Sequence, residues 1–354
     1  MEMEIGMKNF SGSQASANAV SFCELLICCL GVLLCGIASA QTGFVSFDIA
    51  GAQYISPNNI NDSGTVAGTY LDDNINSHGF LRTSDGTIDV FNVPGFTNTS
   101  AACINNNGQI VGHSMNGGAP VFTHGFLRSR LGSFTRIDVP NEANTEPTWI
   151  SNSGLIVGYV FGSSGIPRAF LRDLNGVYSF IDPPDAAHGS VSSAINDNGQ
   201  VVGTYVDSSF NQHEFFRDSD GTITEFDPPS GTYPVVVNPR INSAGTIVSV
   251  YATPQGNLES FLRDSSGDFT ILNMPGTAFT QAEDLNDLGE VVGFAGTSLQ
   301  SSFGFAFRRN ASGEYGNIPV PAGTLTSGAG AVNTNGRITG SYSDASDVQH
   351  GFVF

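Results

Sequence analysis

The sequence predicts an all-β fold: a seven-bladed β-propeller with four antiparallel strands per blade, closed by the N-terminal strand of the mature chain completing the last blade. Three observations carry this. One stretch, Ile60-Asn61-Asp62-Ser63-Gly64-Thr65-Val66-Ala67-Gly68, recurs with its turn glycine at Gly64, Gly108, Gly154, Gly199, Gly245, Gly289 and Gly336, at intervals of 44 to 47 residues. A period of this length marks one supersecondary unit stacked repeatedly. Each period holds four short strand signals separated by turn chemistry, the content of one propeller blade. The repeat is also out of phase with the chain ends, as set out below.

Within the first unit, Tyr54 to Ile60 reads as a strand and Asn61-Asp62-Ser63-Gly64 as a turn, with an Asx acceptor and a glycine for positive φ. Thr65 to Tyr70 is the second strand, and Leu71 to Ser77 a polar loop. His78-Gly79-Phe80-Leu81-Arg82 opens the third strand, Ser84-Asp85-Gly86 turns it, and Thr87 to Asn92 is the fourth. The third-strand motif returns as His124-Gly125-Phe126-Leu127-Arg128 and, last, as His350-Gly351-Phe352-Val353-Phe354. The chain therefore stops after the third strand of the seventh unit, whereas Phe44 to Ile49 is a lone fourth strand at the other end. Pairing the two closes a ring and removes two exposed strand edges. A parallel β-helix with about two rungs per period is the rival, and gains nothing from that offset.

Segments before each Ile-Asn are rich in small residues (Ser100-Ala101-Ala102, Ser192-Ser193-Ala194, Ser327-Gly328-Ala329), as a crowded innermost strand requires. The repeated phenylalanines from Phe80 to Phe352 are then expected between blades, each contributing roughly 1.5–3 kcal/mol by burial.

Residues 1–40 stand apart from residues 41–354, which carry the propeller. Leu25 to Ala38 is almost wholly apolar, and Ala38-Ser39-Ala40 has the small-x-small form of a signal-peptidase site. The run is shorter than the roughly 20 residues that span a bilayer. The reading is a cleaved secretory signal, with a retained membrane anchor as the alternative. Its loss leaves Cys103 as the sole cysteine and hence no internal disulfide, and it leaves 29 acids and 12 arginines, a net charge of about -17. So acidic a surface repels phosphate backbones and anionic lipid, so neither nucleic acid nor, after cleavage, membrane is an expected partner.

The repeated Ile-Asn-x-x-Gly-x-Ile-Val-Gly-x-Tyr followed by His-Gly-Phe-Leu-Arg resembles the HAF family of extracellular repeats, over residues 44–354. Ala169 and Ala306 supply the alanine of that signature in two units, and Arg168, Glu259 and Phe305 replace its histidine in three. The resemblance implies a secreted repeat protein and no particular reaction.

His78, His124, His213 and His350 share one repeat position, but equivalent third-strand sites lie too far apart for one ion, whose ligands sit about 2 Å away. They are read as caps on local backbone groups. The arginines from Arg82 to Arg309 are expected on the fourth-strand Asp or Asn of their own blade, or on loop carbonyls. The acidic turns lack the ligand spacing of a calcium loop. No metal or other cofactor is expected.

Function is expected where the repeat breaks, on the face carrying the variable second-to-third loops and the fourth-to-first connections. Off-consensus residues at the start of the inner strands are Tyr54, Glu142, Glu146, His188, Tyr233 and Gln281, a mix of aromatic and acidic groups suited to a neutral sugar or a cation. Arg240 and Asp284 occupy one repeat position in adjacent blades and are expected to approach each other. The resulting reading is a monomeric, secreted binding module whose partner is an extracellular glycan or protein. The alternatives are a carbohydrate-active enzyme using Glu142, Glu146 or Glu283, and a structural envelope protein.

Overall fold

The computed structural model describes residues 43–117, 122–162, 164–228, 238–253, 256–298 and 304–354. The leader expected at 1–40 lies outside them. Residues Phe44–Phe354 form one compact unit, built as seven sheets of four antiparallel strands. Blade 1 is typical: an inner strand Tyr54–Ile60, a second Val66–Leu71, a third Ser77–Arg82 and an outer Ile88–Phe91. In blade 7 the outer strand is Val45–Phe47 from the N-terminal end, paired with Gln349–Val353 in the register Val45 to Val353, Ser46 to Phe352 and Phe47 to Gly351. The phase offset read from the sequence is this closure. Among the described residues no helix is long and apolar enough to cross a membrane.

The core lies between blades. Phe80, Phe126, Phe170, Phe215, Phe261, Phe307 and Phe352 are all at most 1% exposed. Phe80 packs with Phe47 and Val353 of blade 7, its ring meeting that of Phe47 edge-on at 5.9 Å. In six blades the residue before the phenylalanine is small (Gly, Ala or Ser), and blade 4 carries Glu214 there. A Cβ on Gly79 would come within 2.3 Å of the Phe91 ring, and one on Gly351 within 2.4 Å of Phe47. Where the outer strand offers the slimmer Ile181, the third strand carries Ala169 opposite it. Cys103, the one cysteine among the described residues, is free and buried.

What joins blade to blade at the axis is the turn asparagine. In blade 2 the Asn105 Oδ1 accepts the backbone N–H groups of Asn107 and Gln109, holding its own turn. Its Nδ2 donates to the Ser151 carbonyl of the next blade at 3.0 Å. The same step runs from Asn61 to Asn105 (3.1 Å), Asn196 to Asn242 (2.9 Å), Asn242 to Asn286 (3.2 Å) and Asn286 to Asn333 (2.9 Å). Asn333 then reaches the Asn61 carbonyl at 2.8 Å and closes the circle. One joint is open: Ser151 fills the turn role by accepting the Leu155 N–H at 3.0 Å, but has no amide to offer Asn196.

The repeated histidines and arginines serve the scaffold in ways the sequence reading placed differently. Each histidine binds side chains, not backbone: His213 lies 2.7 Å from the outer-strand Asp227 and 3.4 Å from the loop Asp207, and His350 lies 2.6 Å from Asp48. Arg82 and Arg217 do donate to loop carbonyls, those of Thr83 and Asp218. Their guanidinium groups also lie over outer-strand rings: Arg82, Arg128 and Arg263 over Phe47, Phe91 and Phe226 of the preceding blade, and Arg172 and Arg309 over Tyr178 and Tyr315 of their own. Arg128 lies over the Phe91 ring at 4.7 Å and pairs with Asp89 at 2.9 Å.

Blade 5 departs from the pattern. Six second strands carry a glycine whose Cβ would run into an inner-strand carbonyl, as at Gly68, 2.2 Å from the Ser56 oxygen; blade 5 has Ser249 there, and its described inner strand is only Arg240–Ile241. Ser249 Oγ donates to Glu214 Oε1 of blade 4 at 2.5 Å. Glu214 is fully buried, its other oxygen has no partner, and burial pushes its carboxyl up to about 8.

Two predictions follow from these contacts. Ser151→Asn should supply the missing joint and raise stability by about 1 kcal/mol, whereas Asn333→Asp, which keeps the turn acceptor but loses the donor, should cost about 1–3 kcal/mol; denaturant midpoints at constant slope measure both. An unchanged midpoint in Asn333→Asp would contradict the role given to the ring. For Glu214, the unfolded carboxyl ionises near its usual pKa while the folded one keeps its proton up to about 8. Stability is therefore fully present in acid and falls as pH rises through that window. Glu214→Gln should remove this decline, gaining on the order of 3 kcal/mol over the parent at pH 9 and little at pH 5; parallel melting curves against pH decide it.

Candidate central-channel site

The inner strands do more than crowd the axis. In six of them the register with the second strand slips by one residue, between Pro57 and Asn59, Ala101 and Cys103, Pro147 and Trp149, Ser192 and Ala194, Ala282 and Asp284, and Ala329 and Ala331. Such a bulge leaves one residue out of the ladder and re-aims its side chain. The residues freed are Asn58, Ala102, Thr148, Ser193, Glu283 and Gly330, and all of them line one cavity of about 380 Å³, where blade 5 contributes Asn238 and Arg240. Several of these residues also tie neighbouring inner strands. Asn58 Nδ2 donates to the Ala101 carbonyl at 2.7 Å, and Thr148 Oγ1 to the Ser192 carbonyl at 2.8 Å.

The cavity also receives His113 and Tyr159, each the residue after a second-strand glycine, and Glu146 from the blade 3 inner strand. Glu146 and Tyr159 are opposite one another in the ladder, and the Tyr159 hydroxyl donates to Glu146 Oε2 at 2.5 Å. Thr123 Oγ1 approaches Oε1 at 3.4 Å. Burial, with the Glu146 bond and charge added, pushes the Tyr159 phenol far above its ordinary range, so it stays a donor. Burial lowers the His113 imidazole, against the opposing pull of Glu146.

Across the channel, Gln281 Nε2 donates to Glu283 Oε1 at 2.7 Å, while burial raises the Glu283 carboxyl despite that bond and Arg240. Asp284, behind it, is pushed up to about 6 by burial, with Arg240 pulling the other way. The expected approach of Arg240 to Asp284 is thus electrostatic only. Asp284 accepts the Val332 N–H at 2.9 Å, and Arg240 lies over the Trp149 ring at 4.7 Å.

Of the residues singled out from the sequence, Glu146 lines the cavity and Gln281 positions Glu283 there. Tyr54, 48% exposed, begins the blade 1 inner strand without reaching the cavity. Glu142 lies beside Gly162 in the loops, and His188 stacks on Phe210 at 3.8 Å; neither lines the cavity. Tyr233 falls outside the described residues. His113 and Tyr159 were missed, although both stand in a repeat column, just past the glycine, that the other blades fill with different residues. Among the described residues no group of three or more His, Cys, Asp or Glu side chains could hold a metal ion.

The arrangement offers carboxylate acceptors, hydroxyls and amides around a lumen, the furniture of a polar ligand site. No protein-family model and no curated protein matches the chain. Among solved structures, the chain is similar to a streptogramin B lyase, at 13% identity over 88% of this chain and 97% of that one, with a TM-score of 0.56. Virginiamycin B lyase from Staphylococcus aureus gives 14% identity over 88% and 98%, with a TM-score of 0.57. A puromycin hydrolase S511A mutant gives 12% identity over 84% of this chain and 52% of that chain, with a TM-score of 0.58. At such identities the likeness is one of fold, and the propeller architecture is what these structures share with the chain.

Proposed function

We propose that the protein is an exported binding module of HAF-like repeats whose ligand, a polyhydroxylated molecule of the glycan class, enters the central channel from the loop face. The observation that carries this is convergence. The bulges bring six blades' freed side chains to one cavity, and the residues that depart from the repeat there, His113, Glu146, Tyr159, Arg240 and Glu283, are polar and chemically diverse. Scaffold duty explains none of these five identities, since other blades fill the same positions with other side chains. The amide ring lies at the opposite, turn-face end of the inner strands, around a space of only about 140 Å³. Access from the loop face follows. Export is supported by the leader at 1–40, and the fold is one that several binding and catalytic proteins use without sharing a ligand.

One observation favours a second reading, hydrolysis of a glycan: Glu146 and Glu283 share the lumen, and a pair of carboxyl groups is what glycoside cleavage uses. The two readings part on turnover.

A glycan array followed by calorimetry on the hits tests the proposal. Glu146→Gln and Tyr159→Phe should each weaken binding about tenfold or more, the scale of one lost hydrogen bond to a charged group, and Tyr54→Ala should change it less than about twofold. Binding lost in Tyr54→Ala and kept in both lumen variants would move the site to the rim. Release of reducing ends, abolished in both Glu146→Gln and Glu283→Gln, would select the enzyme.

A further inference from the structure

We infer that the channel selects an amine-bearing sugar over its neutral counterpart, an inference that rests on the channel being the binding site. The argument is one of charge placed against charge around the lumen. Arg240 is the single arginine among the cavity-lining residues. Its guanidinium lies over the Trp149 ring at 4.7 Å, and its charge acts on Glu283 and Asp284, two carboxyl groups on the blade next to it. Glu146 stands on blade 3 with no such counter-charge. Its hydrogen-bond partners are the hydroxyls of Tyr159 and Thr123, which are neutral. His113, which lines the same cavity, has its imidazole lowered by burial against the pull of Glu146.

Two further features point outward from the protein toward a ligand. Among the described residues, neither ring nitrogen of His113 has a hydrogen-bond partner. Glu283 is half-buried, and among the described residues its one hydrogen bond is that of Oε1 with Gln281. The lumen therefore holds the carboxyl groups of Glu146 and Glu283 against one guanidinium, Arg240, and that cation acts on Glu283 while Glu146 is hydrogen-bonded only to neutral hydroxyls. An ammonium group, with three donors and no acceptor, complements such a site where a neutral acetamide does not. Asn58, Thr148 and Ser193 on the same wall suit the hydroxyls of a sugar ring, which both donate and accept. The net charge of about -17 on residues 41–354 adds a long-range field that draws cations to the channel mouth.

The chain holds a single tryptophan, Trp149, and it packs against Arg240, so its fluorescence reports on the channel without a label. The experiment titrates the purified full-length secreted protein with a short glucosamine oligosaccharide and with its N-acetylated form, which share ring and linkage and differ in the charge of the amine. The glucosamine form should bind at least tenfold tighter at low ionic strength. That preference should shrink with added salt and disappear in Glu146→Gln, whose fold is checked by circular dichroism, while Tyr54→Ala retains it. Equal or tighter binding of the N-acetylated form, still weakened by Glu146→Gln or Tyr159→Phe, would overturn the amine class and leave the channel reading intact. A preference for glucosamine that survives Glu146→Gln and Glu283→Gln unchanged would overturn both, since the charge recognised would then lie elsewhere. Binding of neither sugar would overturn the inference.

Discussion

The fold depends on one side chain doing two jobs. The asparagine that opens each inner turn uses its carbonyl oxygen to hold its own chain reversal and its amide to hold the carbonyl of the next blade. No other residue of that length has both an acceptor and a donor to give. Aspartate has no proton to donate when ionised, and serine spans only the turn, as Ser151 shows. Each bond contributes about 1 kcal/mol net, yet all are buried, so leaving one group unpaired costs more than making it gains. The circle of amides draws the ends of the inner strands together on one face. That geometry leaves the channel narrow at the turn end and open to a larger cavity above it.

Much of this was legible in the sequence. The period, the four strands per unit and the offset between the chain ends led to the seven-bladed ring, because each is a property of spacing and turn chemistry that local rules decode. The amide ring was not legible, since turn formation alone accounts for every asparagine in it; only the placement of a carbonyl one blade away reveals the second use. The histidines were misplaced for a related reason. A residue opening a strand beside a loop has backbone groups at hand, whereas its partners Asp207 and Asp227 lie 6 and 14 residues away and reach it through the hairpin. The glycine of the His-Gly-Phe motif is explained by volume: a Cβ would meet an outer-strand phenylalanine ring at Gly79 and Gly351, and Pro147 and Ile137 at Gly125.

The site was half legible. Looking for breaks in the repeat singled out Glu146 and Gln281, but the expectation that such breaks cluster at strand starts also swept in Tyr54, at the exposed start of its strand, and Glu142 and His188, which sit in turns. Strict alternation along a strand would send Thr148 and Glu283 toward neighbouring blades. The bulge turns them to the axis instead, and a one-residue slip in register leaves no mark on the hydrophobic pattern of the inner strands.

The same logic explains where this chain can afford variety. Positions that face a neighbouring blade must fit a fixed volume, and an ionisable group placed there has to give up its charge, as Glu214 does against Ser249. The bulge column faces the lumen, as do His113 and Tyr159 of the column after the second-strand glycine, and these positions are free of that demand. Across the blades the bulge column holds Asn58, Ala102, Thr148, Ser193, Glu283 and Gly330, residues of unrelated size and charge on an otherwise repetitive frame. A ring of near-identical blades thus concentrates its chemical individuality on its axis, where Glu146 of blade 3 and Arg240 of blade 5 line the same cavity as the two variable columns.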